Sequence, residues 1–306
     1  MTDATYAVAD WGTTSFRLWL LAADGQIVAQ TEGKQGMASL TPDEYPDVLE
    51  KALSAVGASA ELPVVICGMA GAAQGWREAV YIDLPAALND VPSHAVSVFG
   101  VDRDVRILPG LAQRPPQVPD VMRGEETLLL GLALNGLADG LVCMPGTHSK
   151  WVRLEDGHVR RFSTAMTGEV FGLMATQSTL KHFTEGHQPA TFAELPAFRA
   201  AAREALAAPE ALLRALFTVR SAPLLAKGGQ ADEVAARLSG LLIGAEIAGM
   251  KAPPGSEVML VASDSLAETY ATALAVAGLT VERLSSEEMA IAGLFHASQL
   301  LWPAAA

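Results

Sequence analysis

The strongest constraint on this chain is one plan written twice at a fixed spacing. Near the start an apolar run, Tyr6-Ala-Val-Ala-Asp10, reverses through Trp11-Gly-Thr-Thr-Ser15 and continues as Phe16-Arg-Leu-Trp-Leu-Leu21. It then turns at Asp24-Gly25 and resumes over Gln26–Thr31. Apolar runs joined by Gly-, Asp- and Ser-containing turns predict a three-stranded antiparallel meander. The plan returns as Gly140–Met144, Pro145-Gly-Thr-His-Ser149, Lys150–Leu154, Asp156-Gly157 and His158–Ser163. Val8 and Val142, Gly12 and Gly146, Thr13 and Thr147, and Ser15 and Ser149 all stand 134 residues apart, and the two Asp-Gly turns 132. Chance supplies one such match, not a register of them. Two related halves predict two similar lobes facing each other across a cleft, and a cleft of that kind holds a ligand.

After each meander the apolar period becomes mixed. In the first half it predicts helices over 43–56 and 125–135 and strands over 63–67, 95–99 and 105–108. In the second it predicts helices over 198–217, 232–250 and 265–277 and a strand over 258–262. Strands alternating with helices give an α/β sheet in each lobe. The proline clusters Arg114–Pro119 and Lys251–Gly255 read as loops, because proline cannot continue a helix. The first lobe is assigned to 1–139, joined by a C-terminal helix within 286–306, and the second to 140–285. At 306 residues the chain is about twice the usual ~150-residue domain, which accommodates this division.

Composition narrows the class of function. Half the residues are apolar and 18% are charged, so the chain buries a core and is not a disordered polymer. A net charge of -13 repels nucleic acid and anionic membrane surfaces, and neither is an expected partner. Cys67 and Cys143 lie inside apolar runs and read as buried free thiols. The N-terminus carries an acid where a secretory signal carries basic residues, and no apolar stretch reaches ~20 residues, so the reading is a cytoplasmic protein. The six histidines show no H-E-x-x-H spacing, which argues against zinc.

Chemistry concentrates at the two reversals. In Asp10-Trp-Gly-Thr-Thr-Ser15 a strand ends in a carboxylate and the chain turns through Gly12, Thr13, Thr14 and Ser15. Backbone N–H groups and hydroxyls in such a turn wrap phosphate oxygens, while the carboxylate holds a hydrated Mg²⁺. Taken alone, Asp10 is as well explained as the cap of an ordinary hairpin. The repeat shifts the balance, since Gly146, Thr147, His148 and Ser149 offer a second such turn, with Lys150 as a cation beside it.

With these turns in place, the two meander-led halves resemble the actin and hexokinase superfamily of ATP-binding proteins, whose lobes have a ribonuclease H-like α/β fold. Within it, Arg123-Gly-Glu-Glu-Thr127, Met144-Pro-Gly-Thr-His-Ser-Lys-Trp-Val152, Met166-Thr-Gly-Glu169 and Leu238-Ser-Gly-Leu-Leu-Ile-Gly244 resemble the 2-dehydro-3-deoxygalactonokinases over nearly the whole chain. The resemblance implies transfer of the ATP γ-phosphoryl group, with Mg²⁺, to the C6 hydroxyl of a small keto-deoxy sugar acid. Gly124-Glu125 takes the place of the Gly-Asp pair that opens the corresponding helix in glycerol-kinase-like enzymes. Glu125 is therefore the favoured base, with Glu126 as the alternative; either acid is also explained as a first-turn residue that stabilises its helix.

For the acceptor the resemblance points to first-lobe loops: Lys34, Gly36 and Met37; Gly75, Trp76, Arg77 and Tyr81; and Arg123, whose cation suits a carboxylate. For adenosine it points to Ala262, Ser263 and Asp264, where a strand runs into a helix. The chain departs from the family pattern at Ala72-Ala73, at Leu128, and at Ser263 in place of glycine. The first two bear on acceptor choice, so a kinase for another keto-deoxy sugar acid, such as the gluconate epimer, stays open, as does a non-catalytic actin-like ATP-binding protein. The Ala-rich stretch from Arg199 to Ala215 reads as a surface helix and a possible homodimer face.

Overall fold

The computed structural model describes residues 4–226 and 228–303. It opens with β1 (Tyr6–Trp11), β2 (Phe16–Leu21), β3 (Ile27–Gly33), α1 (Tyr45–Ala55) and β4 (Val64–Gly68). There follow β5 (Ile82–Asp83), β6 (Ala86–Ala87), β7 (Val96–Val98), β8 (Val105–Ile107), β9 (Leu111–Gln113), β10 (Asp120–Met122) and α2 (Glu125–Leu134). The second half runs β11 (Gly140–Met144), β12 (Ser149–Glu155), β13 (His158–Ala165), α3 (Thr167–Gln177), α4 (Lys181–Thr184), α5 (Pro196–Ala207) and α6 (Leu212–Leu225). It ends with α7 (Ala231–Met250), β14 (Glu257–Ala262), α8 (Asp264–Val276), β15 (Thr280–Ser285) and α9 (Ser286–Leu301).

The chain divides into two compact units. One comprises Met1–Asp139, Arg153–Phe162 and Ser286–Ala306, and the other Gly140–Val152 and Ser163–Ser285. In the first unit the main sheet has the order β3-β2-β1-β4-β8-β7. β1 to β3 form the antiparallel meander, while β4 and β8 add parallel strands beside β1. The pleat sorts β1 by alternation: Ala7, Ala9 and Trp11 join the core that holds Tyr45, Leu49 and Leu53 of α1. Tyr6 and Val8 face the opposite core, closed by Leu294 and Ala297 of α9. A small sheet, β10-β9-β5, carries the proline-rich loop 114–119 between its two antiparallel strands. The tip of the β12–β13 hairpin also belongs to this unit, where His158 and Val159 pair with Ala87 and Ala86.

In the second unit β11 is flanked on one side by parallel β14 and β15. The base of the β12–β13 hairpin flanks it on the other side. Counted within each half, both sheets run third-second-first-fourth strand and then add one more parallel strand, β8 in the first and β15 in the second, with antiparallel β7 as an extra edge on the first. That is the ribonuclease H-like order, so the repeat seen in the residues is a repeat of topology. Both cysteines are buried and unpaired.

Two expectations need correction. The helix expected over 198–217 is two helices, because Pro209 disfavours helical backbone at the residue before it and Ala208 adopts φ -147° and ψ 66°. The Ala-rich stretch is also a surface segment along its outer side alone, where Arg199, Arg203, Glu204, Leu213 and Arg214 are exposed. Ala201 and Ala202 are buried against α7, where a Cβ on Gly240 or Gly244 would lie 2.3 and 2.5 Å from the carbonyl oxygens of Phe198 and Ala202.

Candidate functional site

In the first unit the reversal between β1 and β2 is closed by the Gly12 N–H, which donates to the Ser15 carbonyl at 2.8 Å. Thr13, Thr14 and Ser15 are exposed. Gly36 and Met37 brace this turn from behind. The N–H groups of Met37 and Ala38 donate to the Gly12 and Thr13 carbonyls, and a Cβ on Gly36 would fall 2.4 Å from the Thr14 backbone nitrogen. Lys34 is exposed three residues from the contact with Met37.

Asp10 and the start of α2 meet through two glycines. Gly68, at the end of β4, has φ +86°, and a Cβ there would lie 2.6 Å from the Trp11 carbonyl oxygen. Gly124 has φ +104°, and its Cβ would lie 3.3 Å from the Gly68 Cα. With no side chain between these backbones, the helix N-terminus docks directly behind the first turn. The Asp10 carboxylate is held by Arg17 at 2.7 Å through one oxygen, while among the described residues the other receives only the distant Cys67 thiol at 3.8 Å. One oxygen thus remains for a hydrated cation. A single carboxylate fits magnesium, which takes most of its ligands from phosphate and water. Among the described residues no three His, Cys, Asp or Glu side chains cluster as a metal cage.

The two acids that open α2 have opposite surroundings. Glu125 is half-buried and accepts the Arg123 backbone N–H at 2.9 Å. Glu126 is fully buried and accepts the Gly124 N–H on both oxygens, at 2.8 and 3.0 Å, with the Thr127 hydroxyl at 3.2 Å. Burial, reinforced by the charge on Glu125, pushes its carboxyl up to about 8. At neutral pH Glu126 is largely protonated and enclosed, whereas Glu125 has access to solvent.

The remaining acceptor candidates separate. Trp76 stacks on Tyr45 in the core, with ring centroids 5.7 Å apart, and Arg77 is exposed. Gly75 is buried where the loop folds on itself, with a Cβ position 2.4 Å from the Met69 carbonyl oxygen. Tyr81 lies under the Arg123 guanidinium at 4.3 Å, and Arg123 donates to the Ala79 carbonyl at 2.8 Å. The Nε and Nη1 of Arg123 are buried without a hydrogen-bond partner.

In the second unit the matching reversal exposes Thr147 and His148, and His148 pairs with Glu169 at 2.5 Å. Ser149 and Lys150 are buried, so their side chains are not displayed on the turn. Gly168 lets α3 begin against the turn, since its Cβ would fall 2.4 Å from the Gly146 carbonyl oxygen. Beside Gly146 opens a mostly apolar pocket of ≈ 230 Å³, walled by Phe171, Phe192, Leu242, Ile243 and Leu266, with Tyr270 at its floor. Ala262, Ser263 and Asp264 form the β14–α8 junction just before the pocket residues Ser265 and Leu266. Ser263 has φ -74°, so the serine standing in place of glycine causes no backbone strain.

Sequence reasoning missed Arg17, Glu169 and the pocket wall. The wall had a signal, Leu238–Gly244, whose role emerges only when α7 packs behind the turn.

Two units of ribonuclease H-like order, each with a Gly-Thr reversal beside its first strand, define the actin/hexokinase class. A model of the 2-keto-3-deoxy-galactonokinase family matches residues 10–297. A protein of Rhizobium meliloti (strain 1021), provisionally named 2-dehydro-3-deoxygalactonokinase, is 48% identical over 306 residues, covering 99% of each chain. The 2-dehydro-3-deoxygalactonokinase of Escherichia coli (strain K12) is 33% identical over 294 residues, covering 95% of this chain and 96% of that one. A crystal structure from Sinorhizobium meliloti, provisionally assigned the same activity, matches with a TM-score of 0.93 at 47% identity, covering 98% of each chain. The chain belongs to the 2-keto-3-deoxy-galactonokinase family, and the resemblance drawn from its motifs is borne out.

Proposed function

We propose that this protein is a kinase that transfers the γ-phosphoryl group of ATP to the C6 hydroxyl of 2-dehydro-3-deoxygalactonate, in the cytoplasm. The observation that carries the reading is the pair of acids opening α2, because only one of them, Glu125, is positioned to accept a proton from an alcohol. Full-length likeness to relatives bearing this activity's name supports the substrate.

The second unit receives the nucleotide. A pocket of ≈ 230 Å³ suits a single ring system, adenine, with the phosphates running to Gly146, Thr147 and His148. The first unit receives the sugar acid. The buried Arg123 nitrogens lack partners, a costly state that a substrate carboxylate relieves once the side chain shifts toward it. Glu125 takes the proton of the C6 hydroxyl as its oxygen bonds to the γ-phosphorus, and the bond to the ADP oxygen breaks. Thr13, Thr14 and Ser15 offer donors to the transferred group. Asp10 would hold Mg²⁺, which neutralises developing charge on the phosphates when bound.

The test is ADP release with ATP, Mg²⁺ and a panel of 2-dehydro-3-deoxygalactonate, its gluconate epimer, glycerol and hexoses. Turnover confined to the galactonate compound is the expected result. Preference for the epimer would move the substrate assignment to the Ala72-Ala73 departure, and silence across the panel with ATP bound would refute the kinase reading.

A further inference from the structure

Behind the second phosphate turn lies a buried acid that phosphoryl transfer does not use. Glu246, on α7, is 7% exposed. Its carboxylate accepts the Trp151 indole N–H at 2.8 Å and the Tyr270 hydroxyl at 2.9 Å. The Thr167 hydroxyl also donates to it, while the Ser149 hydroxyl, 2.7 Å from that of Tyr270, donates to Tyr270 and so reaches the carboxylate through it. Burial raises its pKa, and the surrounding donors offset that only in part. Trp151, Tyr270 and Thr167 thus converge on one buried carboxyl, with Ser149 behind Tyr270.

The donors come from β12, α3 and α8, and the three hydroxyls among them stand at the candidate nucleotide site. Ser149 ends the turn, while Thr167 and Tyr270 line the pocket together with Gly146 and Gly168. The hydroxyls of Ser149 and Thr167 are thus engaged inward. What they fix is the backbone of the turn and the start of α3, which touch at Gly146 and Gly168.

We infer that Glu246 is a positioning residue for ATP: it ties the second phosphate turn, the α3 N-terminus and the pocket wall on α8 to one buried acceptor, so that nucleotide meets a site already formed. This rests on reading the second-unit pocket as the nucleotide site. A carboxamide offers one oxygen where the carboxylate offers two, and its NH₂ group forces the hydroxyl it faces to turn from donor to acceptor, which breaks the chain from Ser149 through Tyr270. Preorganisation lost in this way appears in nucleotide affinity.

The test compares KM for ATP and for the sugar acid in Glu246→Gln, Tyr270→Phe and Leu242→Trp, measured well below each variant's Tm. Glu246→Gln is expected to raise KM for ATP about 10- to 100-fold and Tyr270→Phe about 3- to 10-fold, with KM for the sugar acid within about twofold. If Glu246→Gln does not fold, Tyr270→Phe decides. Lowered Tm with KM for ATP unchanged in Glu246→Gln and Tyr270→Phe, while Leu242→Trp raises it, would make Glu246 merely structural and overturn the inference alone. An unchanged KM for ATP in Leu242→Trp would overturn the pocket reading and this inference with it.

Discussion

Replacing Glu126 by glutamine should make the protein more stable at alkaline pH, and the size of the effect follows from where the carboxyl sits. In the fold it holds its proton up to about pH 8, against 4.5 for an ordinary glutamate. An acid whose folded pKa is raised contributes fully below its unfolded value and loses stability as pH rises toward the folded one, because the unfolded chain releases the proton first. Between pH 4.5 and 8 the wild type therefore loses roughly 1.4 kcal/mol per pH unit from this group, with a ceiling near 5 kcal/mol.

Glutamine is neutral throughout, and its oxygen can still accept the Gly124 N–H. Urea denaturation of both proteins at pH 5, 6, 7, 8 and 9 isolates the effect, since groups common to both cancel in the difference. The variant should gain on the wild type steadily from pH 5 to 8 and then level off. Parallel stability profiles would refute the reasoning, as they would mean that water or a cation reaches Glu126.

Three further outcomes are expected. Glu125→Gln should lose about 10²–10⁴-fold in turnover with ATP still bound, while Glu126→Gln should stay within about tenfold of wild type; the reverse ranking would exchange the two roles. Asp10→Asn should raise the Mg²⁺ concentration for half-maximal rate at least about tenfold, and an unchanged metal requirement would leave Asp10 only as the partner of Arg17. Gly131→Ala places a Cβ 2.0 Å from the Met289 carbonyl oxygen where α2 crosses α9, so the helices must separate, at a cost of about 2–3 kcal/mol or more. A Tm within a degree or two of wild type would show that the crossing is looser than described.

The fold was legible where periodicity and turn chemistry agreed. Both meanders, the helix over α7 and the β14–α8 junction follow from apolar period and Gly or Asp punctuation. β15 was missed although Val281 and Leu284 flank polar Glu282 and Arg283 in a short parallel strand. α3 was missed because Thr167-Gly-Glu169 reads as a turn until Gly168 is seen against Gly146. The two Gly-Thr reversals were legible because Gly, Thr and Ser there are local chemistry. The pocket wall was not, because Phe171, Leu242 and Leu266 come from three separate elements and each reads alone as core. Arg17 was hidden for a different reason: only the antiparallel register that sets Asp10 opposite Arg17 makes the two side chains partners.

The pair Glu125 and Glu126 shows what the third dimension adds. Successive helical residues point about 100° apart, so of two acids opening one helix at most one faces inward. Residue types alone leave Glu125 and Glu126 equivalent, and both gain from the helix N-terminus. The contact of Gly124 with Gly68 sets the helix phase and turns Glu126 under the backbone while Glu125 stays at the rim. Their environments then differ: the buried carboxyl keeps its proton to about pH 8, and the accessible one is the proposed acceptor of the alcohol's proton. A side chain as small as a methyl on Gly124 would press on Gly68 and shift that phase, so the proposed choice between Glu125 and Glu126 rests on two residues that have no functional group.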